Sequence, residues 1–174
     1  IDTVGSDSAV CDFEILNVMK AALNEIGVTE ITIHVNHRGI FNRFLNKLGV
    51  LEKSEDILRS VDKLAKVGQE EVLKELIDYT GDESKATEII KYISSTGSFL
   101  EILNTLEQMA GGPDKDTQRM KDIYKMMVAS GIESTYVLDP SITRGLDYYT
   151  GVVYETFLND LPSIGSVCSG RRYD

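Results

Sequence analysis

From Arg38 to Gly112 the apolar residues recur at spacings of three and four, and nowhere in that stretch do they alternate as a strand requires. Ser54 offers a capping oxygen ahead of Ile57, Leu58, Val61, Leu64 and Ala65 on one helical face. Val72, Leu73, Leu76 and Ile77 mark a further helix, and Ala86, Ile89, Ile90 and Ile93 the next. Ser98 and Glu101 form a capping-box pair before Leu103, Leu106 and Met109, and Gly111-Gly112-Pro113 closes the run. Roughly 75 residues of helix signal are enough to pack a small core of their own. A sheet built from the two ends of this chain must therefore close across a helical excursion.

Both ends carry strand signals. Ile1–Gly5 reads as the end of a strand, and Ser6, Asp7 and Ser8 offer capping oxygens to a helix bearing Phe13, Leu16, Met19, Leu23 and Ile26 on one face. Gly27 is a good stop for it. Ile31, Ile33 and Val35 alternate with Thr32 and His34, the pattern of a half-buried strand. Past the helical run, Met120, Ile123, Tyr124 and Met127 mark one more amphipathic helix, ended by Gly131. Tyr136 to Leu138 reads as a short strand, Asp139-Pro140 as a turn, and a longer strand starts at Tyr148 with Gly165 to Gly170 returning beside it. The expected class is α+β. Residues 1–37 and 113–174 form the sheet-bearing core with its flanking helices, and residues 38–112 form an inserted all-helical domain.

Charge and cysteine content narrow the function classes. A net charge of −10 gives no support to a generic nucleic-acid-binding surface, although a local basic strip can act within an acidic protein. Arg38, Arg43 and Lys47 make one modest strip, best read as a solvated helix face. No run of about 18 apolar residues is present, so no membrane span is expected. Cys11 and Cys168 make no metal framework and suit reduced thiols. His34 and His37 sit at a strand end, where a three-residue spacing does not converge on a metal, so no metal site is expected. The chain lacks an initial methionine and starts in what reads as the middle of a strand, as a piece of something larger would.

The densest chemistry lies in Arg144-Gly145-Leu146-Asp147-Tyr148-Tyr149-Thr150-Gly151-Val152-Val153-Tyr154-Glu155. A guanidinium holds a carboxylate or phosphate in a bidentate fork, and a phenol orients a small polar ring. Arg144 and Tyr149 would face opposite sides of a flat strand, so a loop or bulge at Gly145 is needed to bring them to one pocket. Gly145 and Gly151 are read as bends or close backbone approaches. On residue types alone, an amphipathic strand with snorkelling tyrosines and a surface arginine is the preferred reading of the run.

The run Arg144 to Gly151 closely resembles the histidine-specific signature of histidyl-tRNA synthetases, and Ser163 to Asp174 resembles the second signature of that family, a glycine-rich run ending Gly-Gly-Arg-Tyr-Asp. The resemblance continues upstream through Asp2-Thr3-Val4-Gly5 and the helix after it, so it covers in effect the whole chain. It implies a class II antiparallel catalytic sheet interrupted by a helical domain that reaches tRNA. It also implies a ligase that uses ATP with magnesium to activate histidine as histidyl-adenylate and then charges tRNA(His). The parent would be a homodimer of the cytoplasm, or of an organelle.

By match to the signatures, Arg144 is the catalytic residue, stabilising charge that develops on the α-phosphate. Asp2 would accept the imidazole N–H of bound histidine, and Tyr149 would meet the other ring nitrogen. Tyr148 and Tyr173 would line the pocket, while Gly165 and Gly170 would let backbone approach the ligand. ATP is a substrate, and no cofactor held by this chain's own side chains is implied. One departure stands out: Arg171 occupies a position where the family has glycine, which predicts either strain at a positive-φ site or a long side chain filling the pocket. The alternative is a non-catalytic paralogue, such as the regulatory subunit of ATP phosphoribosyltransferase or a tRNA-sensing domain. The resemblance places groups needed for ATP binding outside this stretch, so the isolated chain is expected to be inactive.

Overall fold

The computed structural model describes residues 1–142 and 149–173, with Tyr149 and Tyr173 described through their backbone alone. In chain order the elements are α1 (Ala9–Glu25), β1 (Ile31–His37), α2 (Arg38–Lys47), α3 (Ser54–Asp62), α4 (Leu64–Val67), α5 (Gln69–Thr80), α6 (Glu83–Ile93), α7 (Phe99–Met109) and α8 (Lys115–Ala129). They are followed by β2 (Tyr136–Leu138), β3 (Tyr149–Leu158) and β4 (Ser166–Tyr173). The class is α+β, and between Arg38 and Gly112 only helices and turns occur.

The strands form one sheet in the order β2-β1-β3-β4. β1 lies antiparallel to β3, with Ile31 opposite Leu158 and His37 opposite Val152, and β3 lies antiparallel to β4. β1 and β2 instead run parallel, with Ile33 opposite Tyr136. The sheet is therefore mixed where the resemblance implied an antiparallel one. A parallel pair cannot be closed by a hairpin and needs a long crossover, and here the crossover is α2 to α8.

One apolar cluster joins sheet and helices. Ile33 and Val35 of β1, Leu16 of α1, Phe41, Phe44 and Leu45 of α2, and Tyr92 of α6 all belong to it. The Tyr92 ring stacks on Phe44 at 4.5 Å and tilts against Phe41 at 5.2 Å. The helices of 38–112 thus pack on the sheet-bearing core across a continuous interface.

Capping explains most helix boundaries. The Ser8 hydroxyl accepts from the Val10 amide, and Ser98 with Glu101 makes a full capping box on α7. A second box, Asp114 with Thr117, starts α8 and follows Pro113. Ser54 does not cap: it is the first residue of α3, and Lys53 precedes it with no side-chain bond. The expected continuous face from Ile57 to Ala65 is broken between α3 and α4 at Lys63. Ile26, expected on the buried face of α1, is the C-cap residue and is exposed, because the chain turns away at Gly27 with φ 85°.

Two further expectations change. Ile1–Gly5 is exposed and irregular, and no described strand lies beside it to complete a ladder. The basic strip on α2 is solvated only at Lys47, which is exposed, and it also ties α2 to α7. Arg43 Nη2 donates to the Gly112 carbonyl at 2.6 Å, and Lys47 Nζ donates to the Met109 carbonyl at 3.1 Å. Both cations thereby satisfy carbonyls at or just past the C-terminal end of α7, where its own ladder cannot. Arg38 is buried at the start of α2.

Candidate functional site

A cavity of about 530 Å³ opens between the segment Ile1–Ser6, the first turns of α1 and one face of β3–β4. Asp2, Cys11, Asp12, Tyr154, Gly170, Arg171 and Arg172 are among the residues that line it. At its strand end Tyr149 is the direct partner of Tyr173, so the two signature segments meet in register. Between Tyr149 and Val153 the register shifts, because three residues of β3 face only Arg172 of β4.

Two glycines make this geometry possible. A Cβ on Gly151 would stand 2.7 Å from Arg172 Cδ, so the bare backbone lets the arginine pass over β3. Gly170 lies opposite Tyr154, and the phenol ring fills the space that a side chain on Gly170 would need. Burial, with smaller contributions from Cys168 and Asp12, pushes the Tyr154 hydroxyl up to about 12, so it stays protonated at neutral pH.

Arg172 enters a ring of four charges. Its Nη1 bonds Asp12 Oδ1 at 3.1 Å and its Nη2 pairs with Asp7 Oδ1 at 2.8 Å. Arg119 of α8 completes the ring, with Nη1 to Asp12 Oδ2 at 2.6 Å and Nη2 to Asp7 Oδ1 at 2.5 Å. Asp12 is the buried member and Asp7 the exposed one. Each carboxylate therefore serves two guanidinium groups, and segments far apart in sequence converge on one point.

Behind this ring is a smaller cavity of about 180 Å³, lined by His37, Asp116, Arg119, Thr150, Gly151 and Arg172 among others. His37 Nδ1 accepts the Gly39 amide at 3.1 Å, which caps α2. Burial first, and then the charge of Arg119, lower its pKa to about 4, so it is neutral at pH 7. His34 faces elsewhere. Its Nδ1 is 2.7 Å from Asp139 Oδ2, beside a third cavity of about 260 Å³ that also touches Phe157 and Ser141. Burial opposes ionisation of Asp139, but hydrogen bonds from His34 and Ser141 outweigh it and hold the carboxyl below its usual range. Among the described residues no group of three or more His, Cys, Asp or Glu side chains could hold a metal ion, and both cysteines are unbridged.

The expected site residues fall into three groups. Asp2 and Gly170 line the main cavity, and Tyr149 and Tyr173 are paired beside it. Gly165 sits in the turn after Pro162–Ile164 at φ 79°, away from the cavity lining. Arg144, Gly145 and Tyr148 lie outside the described residues. Arg171 pairs with Val153 inside β4, and no described non-glycine residue has a positive φ, so the expected strain is not there. Asp7, Asp12, Arg119 and Tyr154 were not anticipated at the site. Their only sequence sign is charge and ring type at positions up to about 150 residues apart, which periodicity does not connect.

Residues 1–174 in full match the family described as histidyl-tRNA synthetase. A histidine–tRNA ligase of Treponema denticola is 63% identical over 99% of this chain, which spans 40% of that relative. The corresponding ligase of Rhodopirellula baltica is 40% identical, again over 99% of this chain and 40% of the relative. The crystal structure of histidyl-tRNA synthetase from Nostoc sp. PCC 7120 superposes with a TM-score of 0.88 at 25% identity, covering 97% of this chain and 41% of that one. A Bacillus halodurans structure titled as an ATP phosphoribosyltransferase regulatory subunit/histidyl-tRNA synthetase shares the fold, with a TM-score of 0.80 at 21% identity over 98% of this chain and 44% of that one. This chain thus spans about 40% of the length of the curated relatives it matches. The chain belongs to the histidyl-tRNA synthetase family.

Proposed function

We propose that this chain is the middle portion of a histidine–tRNA ligase and carries one side of the histidine pocket together with the helical insertion domain. Identity to a full-length ligase across nearly the whole chain carries this reading. The cavity bounded by Asp2 and flanked by the Tyr149–Tyr173 pair supports it. In this reading residues 1–37 and 113–174 belong to the catalytic core, and residues 38–112 are the insertion.

The reaction joins a histidine carboxylate oxygen to the α-phosphorus of ATP as the bond to pyrophosphate breaks, and the histidyl group then passes to a ribose hydroxyl of tRNA(His) as its bond to AMP breaks and AMP leaves. Arg144 stabilises the negative charge that grows on the phosphate oxygens. Asp2 accepts the imidazole N–H, and Tyr149 meets the second ring nitrogen. An apolar isostere would leave that carboxylate unpaired and is rejected on that account. Tyr148 and Tyr173 form walls. Gly165 lies in the turn before β4, outside the cavity lining, and Gly170 first makes room for the Tyr154 ring. ATP arrives with magnesium, and the working enzyme is a cytoplasmic or organellar homodimer. No helix among the described residues is long and apolar enough to cross a membrane.

The paralogue reading drew on Arg171, and its strain argument is gone because β4 is extended there. The deciding test uses a full-length ligase into which this chain is built in place of the matching segment. It should catalyse histidine-dependent ATP–pyrophosphate exchange. Arg144→Ala should slow single-turnover adenylation about 100-fold or more while the Kd for histidine changes less than threefold. Equal losses in rate and binding would remove the transition-state role, and no exchange in the unsubstituted enzyme would favour the paralogue.

A further inference from the structure

We infer that Arg119, which does not line the main cavity, is a positioning residue for it: through Asp12 and Asp7 it fixes the Arg172 end of β4 and the segment that carries Asp2. Only the identity of the cavity's ligand rests on the proposed function.

The geometry is that of a shared clamp. Arg119 lies on α8, whose start is fixed by the Asp114–Thr117 capping box. From there it reaches Asp12 of α1 at 2.6 Å, the Asp7 carboxylate, and the Asp7 backbone carbonyl at 3.0 Å. Arg172 reaches the same two carboxylates from β4 and also donates to the Ser6 carbonyl at 3.2 Å. Ser6, continuous with Asp2, lines the cavity, and Tyr173, the strand partner of Tyr149, follows Arg172 in β4. Gly151 keeps the path of Arg172 open. A single surface ion pair would contribute little, and Asp7 is largely exposed. Here, however, both oxygens of the nearly buried Asp12 are taken by two different arginines, each through Nη1, while the Nη2 of each turns to Asp7 and so fixes the plane of the guanidinium as well as its charge. Lysine supplies the charge but cannot span two carboxylates as a planar fork does. Charge alone would therefore not place β4.

The test compares Arg119→Lys with the unsubstituted full-length enzyme carrying this chain, and with Lys63→Met, which removes a remote exposed ion pair to Glu75. Amide hydrogen exchange is followed in peptides covering residues 166–173 and in peptides from α5 and α6. Arg119→Lys should speed exchange in 166–173 at least fivefold and leave α5 and α6 within twofold. It should raise the KM for histidine about tenfold and the KM for ATP less than twofold, and Lys63→Met should do neither. Unchanged exchange in 166–173, an equal rise everywhere, or a local rise with unaltered histidine KM would each overturn the inference. Should Arg119→Lys fail to fold, Asp7→Asn removes one leg of the ring at an exposed position and is read in the same way. If the unsubstituted enzyme lacks histidine-dependent exchange, the ligase reading falls while the amide data still decide the clamp.

Discussion

Gly170 shows how much one missing side chain can organise. The Tyr154 ring lies where a Cβ on residue 170 would go, so the cross-strand pair is an aromatic ring seated on bare backbone. Gly170→Ala should lower stability by about 1–3 kcal/mol, as overpacking does, with the loss read from the urea midpoint. Combining it with Tyr154→Ala should cost less than the sum of the two single changes, and strict additivity would show that the ring is not seated there. The sequence made Gly151 readable as a point of close approach, since glycine within a strand signals one. It could not name Arg172 as the neighbour, nor Asp12 and Arg119 as the charges beyond it. Those contacts link positions that no local pattern ties together, and charge type alone does not say which acid meets which base.

Elements were more legible, for a physical reason. Helix periodicity records which face is buried, and the faces of α5, α6, α7 and α8 are those that pack inward. Caps were harder: Asp114–Thr117 escaped notice, and Ser54 looked like a cap only because its residue type suits one. The junction of β1 and α2 yields a pH prediction. The native pKa of His37 is lowered to about 4 against 6.5 for the free side chain, so below pH 6.5 the unfolded chain takes up a proton that the folded chain refuses. Stability should therefore fall as pH drops from 6.5 to 4, by on the order of 3 kcal/mol from this group, and the loss should level off below about 4. His37→Asn retains an oxygen to accept the Gly39 amide, because asparagine is a strong N-cap. The difference in stability between native protein and variant, measured by urea unfolding at steps across that range, should trace this curve. A flat difference would mean that His37 protonates freely in the folded state.

At the scale of the whole molecule, the proposed reading gives this chain only part of an active site, and such a part should not act alone. Positioning and charge stabilisation need every group at once, and the chain spans about 40% of its curated relatives. The isolated 174-residue chain should show no histidine-dependent ATP–pyrophosphate exchange, and a signal clearly above background would overturn that expectation. The α+β class and the helical excursion were legible because strand and helix periods differ. The parallel pairing of β1 with β2 was not, since a hydrophobic pattern reads the same in both strand directions.

That parallel pair sets an order of events. Ile33 and Tyr136 are about 100 residues apart, so the pair gains nothing until a long loop has closed. During synthesis, at about 5–20 residues per second, β1 leaves the ribosome well before its described neighbours β2 and β3 exist. For those seconds its edges are open, and α1 before it and the helices that follow offer Ile33 and Val35 apolar surface from the cluster they share. The excursion between the strands thus serves as a waiting partner for β1 until β2 and β3 arrive.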